Sequence, residues 1–294
     1  AALLPPPAGS ESPEDMFHPD QYQLLDFGGG RRLERFGPAV VDRPCPAVER
    51  EPVGDPAAWG RADARFVRPD SGKAPWQIRT ALPEPWTVRW QELVLELKPT
   101  PAGQVGLFPE QAANWDWLRR EGAGRRLLNL FAYTGGSTLA AVAAGAEVTH
   151  VDAAGNIVAW AQRNAERSGL GGAPIRWITE DVVKFVKREL KRGRRYEGVI
   201  LDPPSYGHGR RGEVWRLTKH LARLLAMCAE LTAGRRRLML MTCHTPGYEA
   251  PRLRRMLAEA IGQPAGTVSA AALSIPAADD RCVKSGSAAW WPGE

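Results

Sequence analysis

Beyond Pro109, apolar runs of four or five residues alternate with amphipathic stretches of eight or more, a pattern that few folds accommodate. The spacing predicts a helix over Glu110–Glu121, then strands at Leu127–Phe131, Glu147–Val151, Ile175–Thr179, Gly198–Leu201 and Leu238–Thr242. It predicts further helices at Ser137–Ala144, Asn156–Ser168, Val182–Lys191, Glu213–Leu231 and Pro251–Ile261, with closing strands within Thr267–Trp291. Strands joined through helices form right-handed crossovers, so the expected fold is an α/β doubly wound, mostly parallel sheet. Such sheets bind ligands at the carboxyl ends of their strands, near the point where strand order reverses. The residues directly after each strand therefore carry the functional reading.

The chain before Pro109 has a different texture. Residues 1–20 are rich in Pro, Ser and acids and are expected to form a disordered arm. Residues 21–100 form short segments punctuated by Gly and Pro, with a turn at Gly28-Gly29-Gly30 and strand character in Thr87–Trp90 and Leu93–Leu97. They read as a small β-rich N-terminal domain, with Pro99–Gly106 as linker and 101–294 as the α/β domain. The net charge of +6 favours a polyanionic partner, nucleic acid first. No apolar stretch reaches the roughly 18 to 20 residues of a membrane helix, and the N-terminus, which begins without Met, lacks a signal-peptide pattern. The four cysteines stand far apart without a Cys-x-x-Cys pair, which predicts neither a disulfide framework nor a zinc site and fits a reducing cytoplasm.

The first predicted strand of the α/β domain runs into Asn129-Leu130-Phe131-Ala132-Tyr133-Thr134-Gly135-Gly136. Two glycines before a helix permit a tight turn and close backbone approach to a ligand, although a plain strand-to-helix turn uses them too. The run is neither Gly-x-Gly-x-x-Gly nor a P-loop. The second strand ends at Asp152, seventeen residues beyond Gly135, where an acid accepts hydrogen bonds from the ribose hydroxyls of an adenosine. Asp181, after the third strand, is placed to accept from an adenine amine, or to cap the following helix, or both. The fourth strand ends in Asp202-Pro203-Pro204-Ser205-Tyr206, the strongest short motif in the chain. Its prolines lack N–H groups and stiffen the loop, so that a carbonyl can hold a flat base by its edge beside the reacting group of a cofactor.

These residues resemble class I methyltransferases of the 23S ribosomal RNA cytosine-C5 type, whose fold is a seven-stranded Rossmann-like sheet. Residues 129–136 look like that family's first cofactor motif, Val151-Asp152 its second, Ala159-Trp160-Ala161-Gln162-Arg163-Asn164 the helix after it, and Asp202–Tyr206 its fourth. Gly106–Gln111 resembles the segment before the cofactor domain, and Tyr22–Gly28 with Leu33–Gly37 looks like the N-terminal part of a shorter branch without the PUA module of better-studied members. The resemblance implies S-adenosylmethionine as cofactor, held by Asn129, Phe131, Tyr133, Thr134, Gly135, Gly136, Asp152, Asp181, Asp202 and Pro203. Pro204, Ser205 and Tyr206 would then face an RNA substrate, ribosomal RNA first, and where those members often have Lys-Phe this chain has Ser-Tyr.

The fifth strand runs into Met241-Thr242-Cys243-His244-Thr245. Cytosine C5 is too weak a nucleophile to take a sulfonium methyl directly, and a cysteine thiolate adding to C6 makes it electron-rich. Cys243 matches the family's nucleophile, with the packing role of a buried free cysteine as the alternative. Asp202 would assist at the pyrimidine N3. Among the basic runs, Arg210-Arg211 follows the acceptor loop most closely and is the candidate phosphate contact, and Tyr206 is placed to stack on a base. Three other functions remain open: methylation of an exocyclic base nitrogen with Cys243 idle, an NAD-dependent oxidoreductase, and a non-catalytic RNA-binding protein. The absent Gly-x-Gly-x-x-Gly argues against the second, and the intact cofactor set would be unexplained by the third.

Overall fold

The computed structural model describes residues 17–67, 75–208, 212–279 and 281–293; the arm expected over 1–20 lies outside them as far as residue 16, as do Arg210 and Arg211. Two compact units emerge, one taking 17–112 with 274–285 and the other 113–273 with 286–293.

The first unit holds β1 (Tyr22–Gly28), β2 (Arg31–Phe36), β3 (Ala39–Pro44), β4 (Ala64–Phe66) and β5 (Trp76–Ile78), paired in that order, and a separate hairpin of β6 (Thr87–Trp90) and β7 (Leu93–Glu96). Gly29 and Gly30 turn β1 into β2 at φ of 54° and 74°, values that glycine adopts without a Cβ penalty. Strands β1, β2 and β3 bury Leu24, Leu33, Phe36 and Val41, and Phe36 stands edge-on to Trp86. Glu34 is buried beneath this sheet, where it accepts from Arg43 and the Tyr22 hydroxyl. Residues read as linker close onto this unit: the Trp76 indole donates to the Thr100 carbonyl and Arg43 donates to the Gln104 side-chain carbonyl. Residues 274–285 join it as well, because Ala277 bridges Leu24 and the Arg281 guanidinium reaches Asp26.

The second unit is the doubly wound sheet. After α1 (Ala112–Gly122) come β8 (Arg126–Leu130), α2 (Gly136–Ala143), β9 (Glu147–Asp152), α3 (Gly155–Arg167), β10 (Ile175–Thr179), α4 (Val182–Lys191) and β11 (Gly198–Leu201). A small hairpin, β12 (Tyr206–His208) and β13 (Val214–Arg216), precedes α5 (Leu217–Thr232), β14 (Leu238–Cys243), α6 (Ala250–Ile261), β15 (Ser269–Pro276) and β16 (Cys282–Trp291). Strand order is β10-β9-β8-β11-β14-β16-β15, parallel from β10 through β14, with β16 antiparallel to β14. This is the doubly wound, mostly parallel sheet that the spacing predicts, with the seven strands that the resemblance implies.

Side chains alternate between the two faces. Leu128, Leu130, Val199, Leu201, Met239 and Met241 pack against α4, α5 and α6, whereas Leu127, Ile200, Leu238 and Leu240 pack with Leu118 and Ala141 from α1 and α2. One expectation is corrected. The helix expected from Glu213 starts only at Leu217, because Val214–Arg216 pairs antiparallel with Tyr206–His208. Three-residue strands show too little alternation to compete with a helical pattern in the sequence. Among the described residues no helix is long and apolar enough to cross a membrane.

Candidate active site

Because β8, β9, β10, β11 and β14 run parallel, their carboxyl ends share one edge of the sheet, and strand order reverses between β8 and β11. After β8 the backbone turns sharply: Phe131 and Tyr133 adopt left-handed φ of 56° and 49°, and Gly135 follows at 92°. Left-handed backbone costs a non-glycine residue about 1–2 kcal/mol and persists only where the surroundings over-determine it. Here the Tyr133 N–H donates to Asp152 Oδ2 at 3.0 Å and the Asn164 side-chain amide donates to the Thr134 carbonyl at 2.9 Å. A Cβ on Gly136 would stand 2.4 Å from Trp115 Cζ2, so only glycine starts α2 there. Neither the strain nor the Asn164 brace has a signal in a single sequence.

Asp152 also accepts the Ala154 N–H at 3.0 Å. Burial pushes its carboxyl pKa up, against the pull of the Ala154, Tyr133 and Ala153 N–H groups. A carboxylate accepts up to about four hydrogen bonds, so capacity remains for the hydroxyls of a ligand. The open glycine turn and this acid fit an adenosine-bearing cofactor.

The structure places the other expected residues differently from one another. The Asn129 amide is buried and donates to Thr138 Oγ1, which in turn meets His150 Nδ1 at 2.9 Å, so Asn129 supports α2 from within the sheet layer. Burial holds the His150 pKa down at about 3, and the ring stays neutral. Asp181 caps α4, its Oδ1 accepting the Lys184 N–H at 2.9 Å. The Phe131 ring lies 5.0 Å from that of Trp215.

The loop after β11 is tied on every side. Asp202 faces His244 at 3.5 Å; burial raises its pKa, but the imidazole and hydrogen bonds from His244 and Thr242 outweigh that and hold the carboxyl below its usual range. Pro203 is buried, and the Pro204 carbonyl accepts the Trp215 indole N–H at 2.6 Å. The Ser205 hydroxyl meets that of Thr245 at 2.7 Å, and Tyr206 stands 51% exposed at the rim. Trp215 is the residue that sequence reasoning missed: from β13 it orders the acceptor loop.

Cys243 is only 1% exposed. Pleating sends it to the α4–α6 face with Met239 and Met241, opposite to Thr242, whose hydroxyl serves Asp202. Burial pushes its thiol pKa up; hydrogen bonds from the Thr245 N–H and hydroxyl lower it in part, while the Asp202 charge adds to the rise.

A family model described as S-adenosylmethionine-dependent methyltransferase matches residues 57–255. The chain is similar to the crystal structure of the SAM-dependent methyltransferase from Agrobacterium tumefaciens, with 34% identity and a TM-score of 0.85 over 93% of this chain and 91% of that one. A structure assigned as a methyltransferase and complexed with SAH shares the fold, with 17% identity and a TM-score of 0.71 over 92% of this chain and 75% of that one. Among curated relatives, Ribosomal RNA large subunit methyltransferase K/L of Hahella chejuensis is 33% identical over 44% of this chain and 18% of its own length. Ribosomal RNA large subunit methyltransferase I of Aeromonas hydrophila is 32% identical over 36% of this chain and 27% of its own. The match thus spans under a third of these curated relatives.

Proposed function

The chain belongs to the S-adenosylmethionine-dependent methyltransferase family, and on that premise we propose that it methylates C5 of a cytosine in ribosomal RNA, with Cys243 as the attacking thiol. The observation that carries this reading is the rigid loop from Asp202 to Ser205, pinned by His244, Thr245 and Trp215 beside the tip of β14. The names of the curated relatives support RNA as the acceptor class, and the net charge of +6 agrees.

The bound cofactor supplies an electrophilic methyl group. Asp152 would accept from the ribose hydroxyls and Asp181 from the adenine amine through the oxygen that does not cap α4, and the left-handed turn at Gly135, followed by Gly136, would leave bare backbone for the remainder. Asp202 and Pro203 close the site on the acceptor side, Pro204 and Ser205 border the base, and Tyr206 stacks on it. Arg210 and Arg211, outside the described residues, reach phosphates. The Cys243 thiolate would add to C6; C5 would then take the methyl group as its bond to the donor sulfur breaks and S-adenosylhomocysteine leaves, and loss of the C5 proton to water would restore the C5–C6 double bond and expel the thiolate. Asp202 is held ionised, so the proton that N3 takes up during addition resides on the Asp202–His244 pair. The demand falls on the thiol, which RNA must release from its packing at the end of β14.

Mass spectrometry of nucleosides from ribosomal RNA incubated with the protein and labelled donor tests the reading. It should show 5-methylcytidine, and 5-fluorocytidine RNA should trap an adduct on Cys243. Cys243→Ala should lose about a thousandfold or more in rate. Label transferred at an undiminished rate by that variant would retire the cysteine mechanism and leave direct transfer to another acceptor atom.

A further inference from the structure

We propose that the cleft between α4 and α5, beneath the β12–β13 hairpin, binds one nucleotide of the RNA next to the methylated base; this rests on the RNA reading above. The cleft is open-sided, with a volume of about 290 Å³. That is the lower end of ligand-pocket sizes, roughly 300 Å³, and it suits one nucleotide.

Its charges are unevenly used. Lys184 is paired with Glu213 across the cleft. Lys187 and Arg223 also line it, and neither has an ion-pair or hydrogen-bond partner among the described residues. Asp181 and His220 also line it, the Asp181 carboxylate already capping α4, and beside them Val183, Val214 and Met227 form an apolar strip with Val214 left 42% exposed. Two uncommitted cations beside an apolar strip match a phosphate and a base face. S-adenosylmethionine carries no phosphate, and its one carboxylate lies at the end of the molecule away from the adenine that Asp181, on this same wall, is assigned.

Location selects the flanking nucleotide. Trp215 lines the cleft and donates its indole N–H to the Pro204 carbonyl at 2.6 Å, so this wall is bonded to the acceptor loop itself. Across the same hairpin Tyr206 pairs in register with Arg216, both exposed, which continues an aromatic and basic path from the acceptor loop toward the cleft.

The test compares a Lys187→Ala/Arg223→Ala double variant with wild type, using a labelled transcript of large-subunit ribosomal RNA at several salt concentrations and S-adenosylhomocysteine by calorimetry. An Arg254→Ala/Arg255→Ala variant, which removes two exposed charges from α6, controls for net charge. The cleft variant should bind RNA at least tenfold more weakly, with its log–log salt slope reduced by about 0.7 for one single-strand phosphate. Its affinity for S-adenosylhomocysteine should match wild type. Val214→Asp should weaken RNA binding in the same way. Equal RNA losses in the cleft and α6 variants, or unchanged RNA affinity in the cleft variant, would overturn the subsite while RNA methylation stands. Lost S-adenosylhomocysteine affinity with RNA binding intact would hand the cleft to the cofactor and overturn it too. A wild-type protein that neither binds nor methylates the transcript would sink both readings.

Discussion

Asp202 and His244 show how a single contact sets a protonation state. Burial alone would leave the Asp202 carboxyl with a raised pKa, and the imidazole 3.5 Å away reverses the sign. His244→Gln removes that pull, so the carboxyl should titrate at higher pH than in wild type. A carbon-13 titration of the Asp202 carboxyl checks this, and an unmoved midpoint would show that the pair is not coupled. Turnover at neutral pH should fall with it, since the variant has lost the imidazole as a proton carrier. At this scale the resemblance pointed to Cys243, and the strand-tip rule to Asp152 and Asp202. It could not tell that Asn129 turns to Thr138 within the layer, or that pleating separates Cys243 from Thr242, since both depend on which way a side chain leaves the strand.

The β12–β13 hairpin is the element whose existence changes the account of the site. It takes Trp215 out of a helix and sets its ring against Phe131, with its N–H on the Pro204 carbonyl. Trp215→Phe keeps a ring there and removes the donor. The loss of one hydrogen bond to an exposed loop, about 1 kcal/mol, should lower the turnover number by about fivefold to tenfold. The melting temperature should fall by only about 2–4 °C. Steady-state kinetics beside calorimetry separate the two effects, and an unchanged turnover number would mean that the loop holds without the indole. The long elements were legible because each repeats its period several times; α3 and α4 appear within a residue or so of their expected bounds. The hairpin, three residues a side, has no period to read.

At the scale of the whole chain, residues far apart in sequence decide acid stability. Asp26 is buried in β1, yet the N–H groups of Gly54 and Asp55, the Trp59 indole and the Arg281 guanidinium converge on its carboxylate, the last from 255 residues away. Burial raises its pKa, but these bonds outweigh it and bring the value from 3.8 to about 2. The folded value is the lower one, so this contribution is complete above the unfolded pKa and fades as pH drops toward about 2. The shift corresponds to about 2 kcal/mol. Asp26→Asn should lower the urea midpoint of this unit at pH 7, and the gap to wild type should narrow near pH 2.5; a gap independent of pH would place the effect in packing.

The amino-acid order by itself determined the alternation of strands and helices, and with it the sheet edge where ligands sit. Those signals are local: apolar periodicity, a glycine pair, two prolines after an acid. Tertiary structure alone decided which acids keep acceptor capacity at the sheet edge and which are spent on the fold. Asp152 keeps acceptor capacity at a strand tip, whereas Asp26, an acid in a strand like many others, is saturated by donors from distant segments. A carboxylate's role follows from how many donors surround it, and in a folded chain most of those donors come from residues that its sequence neighbours do not name.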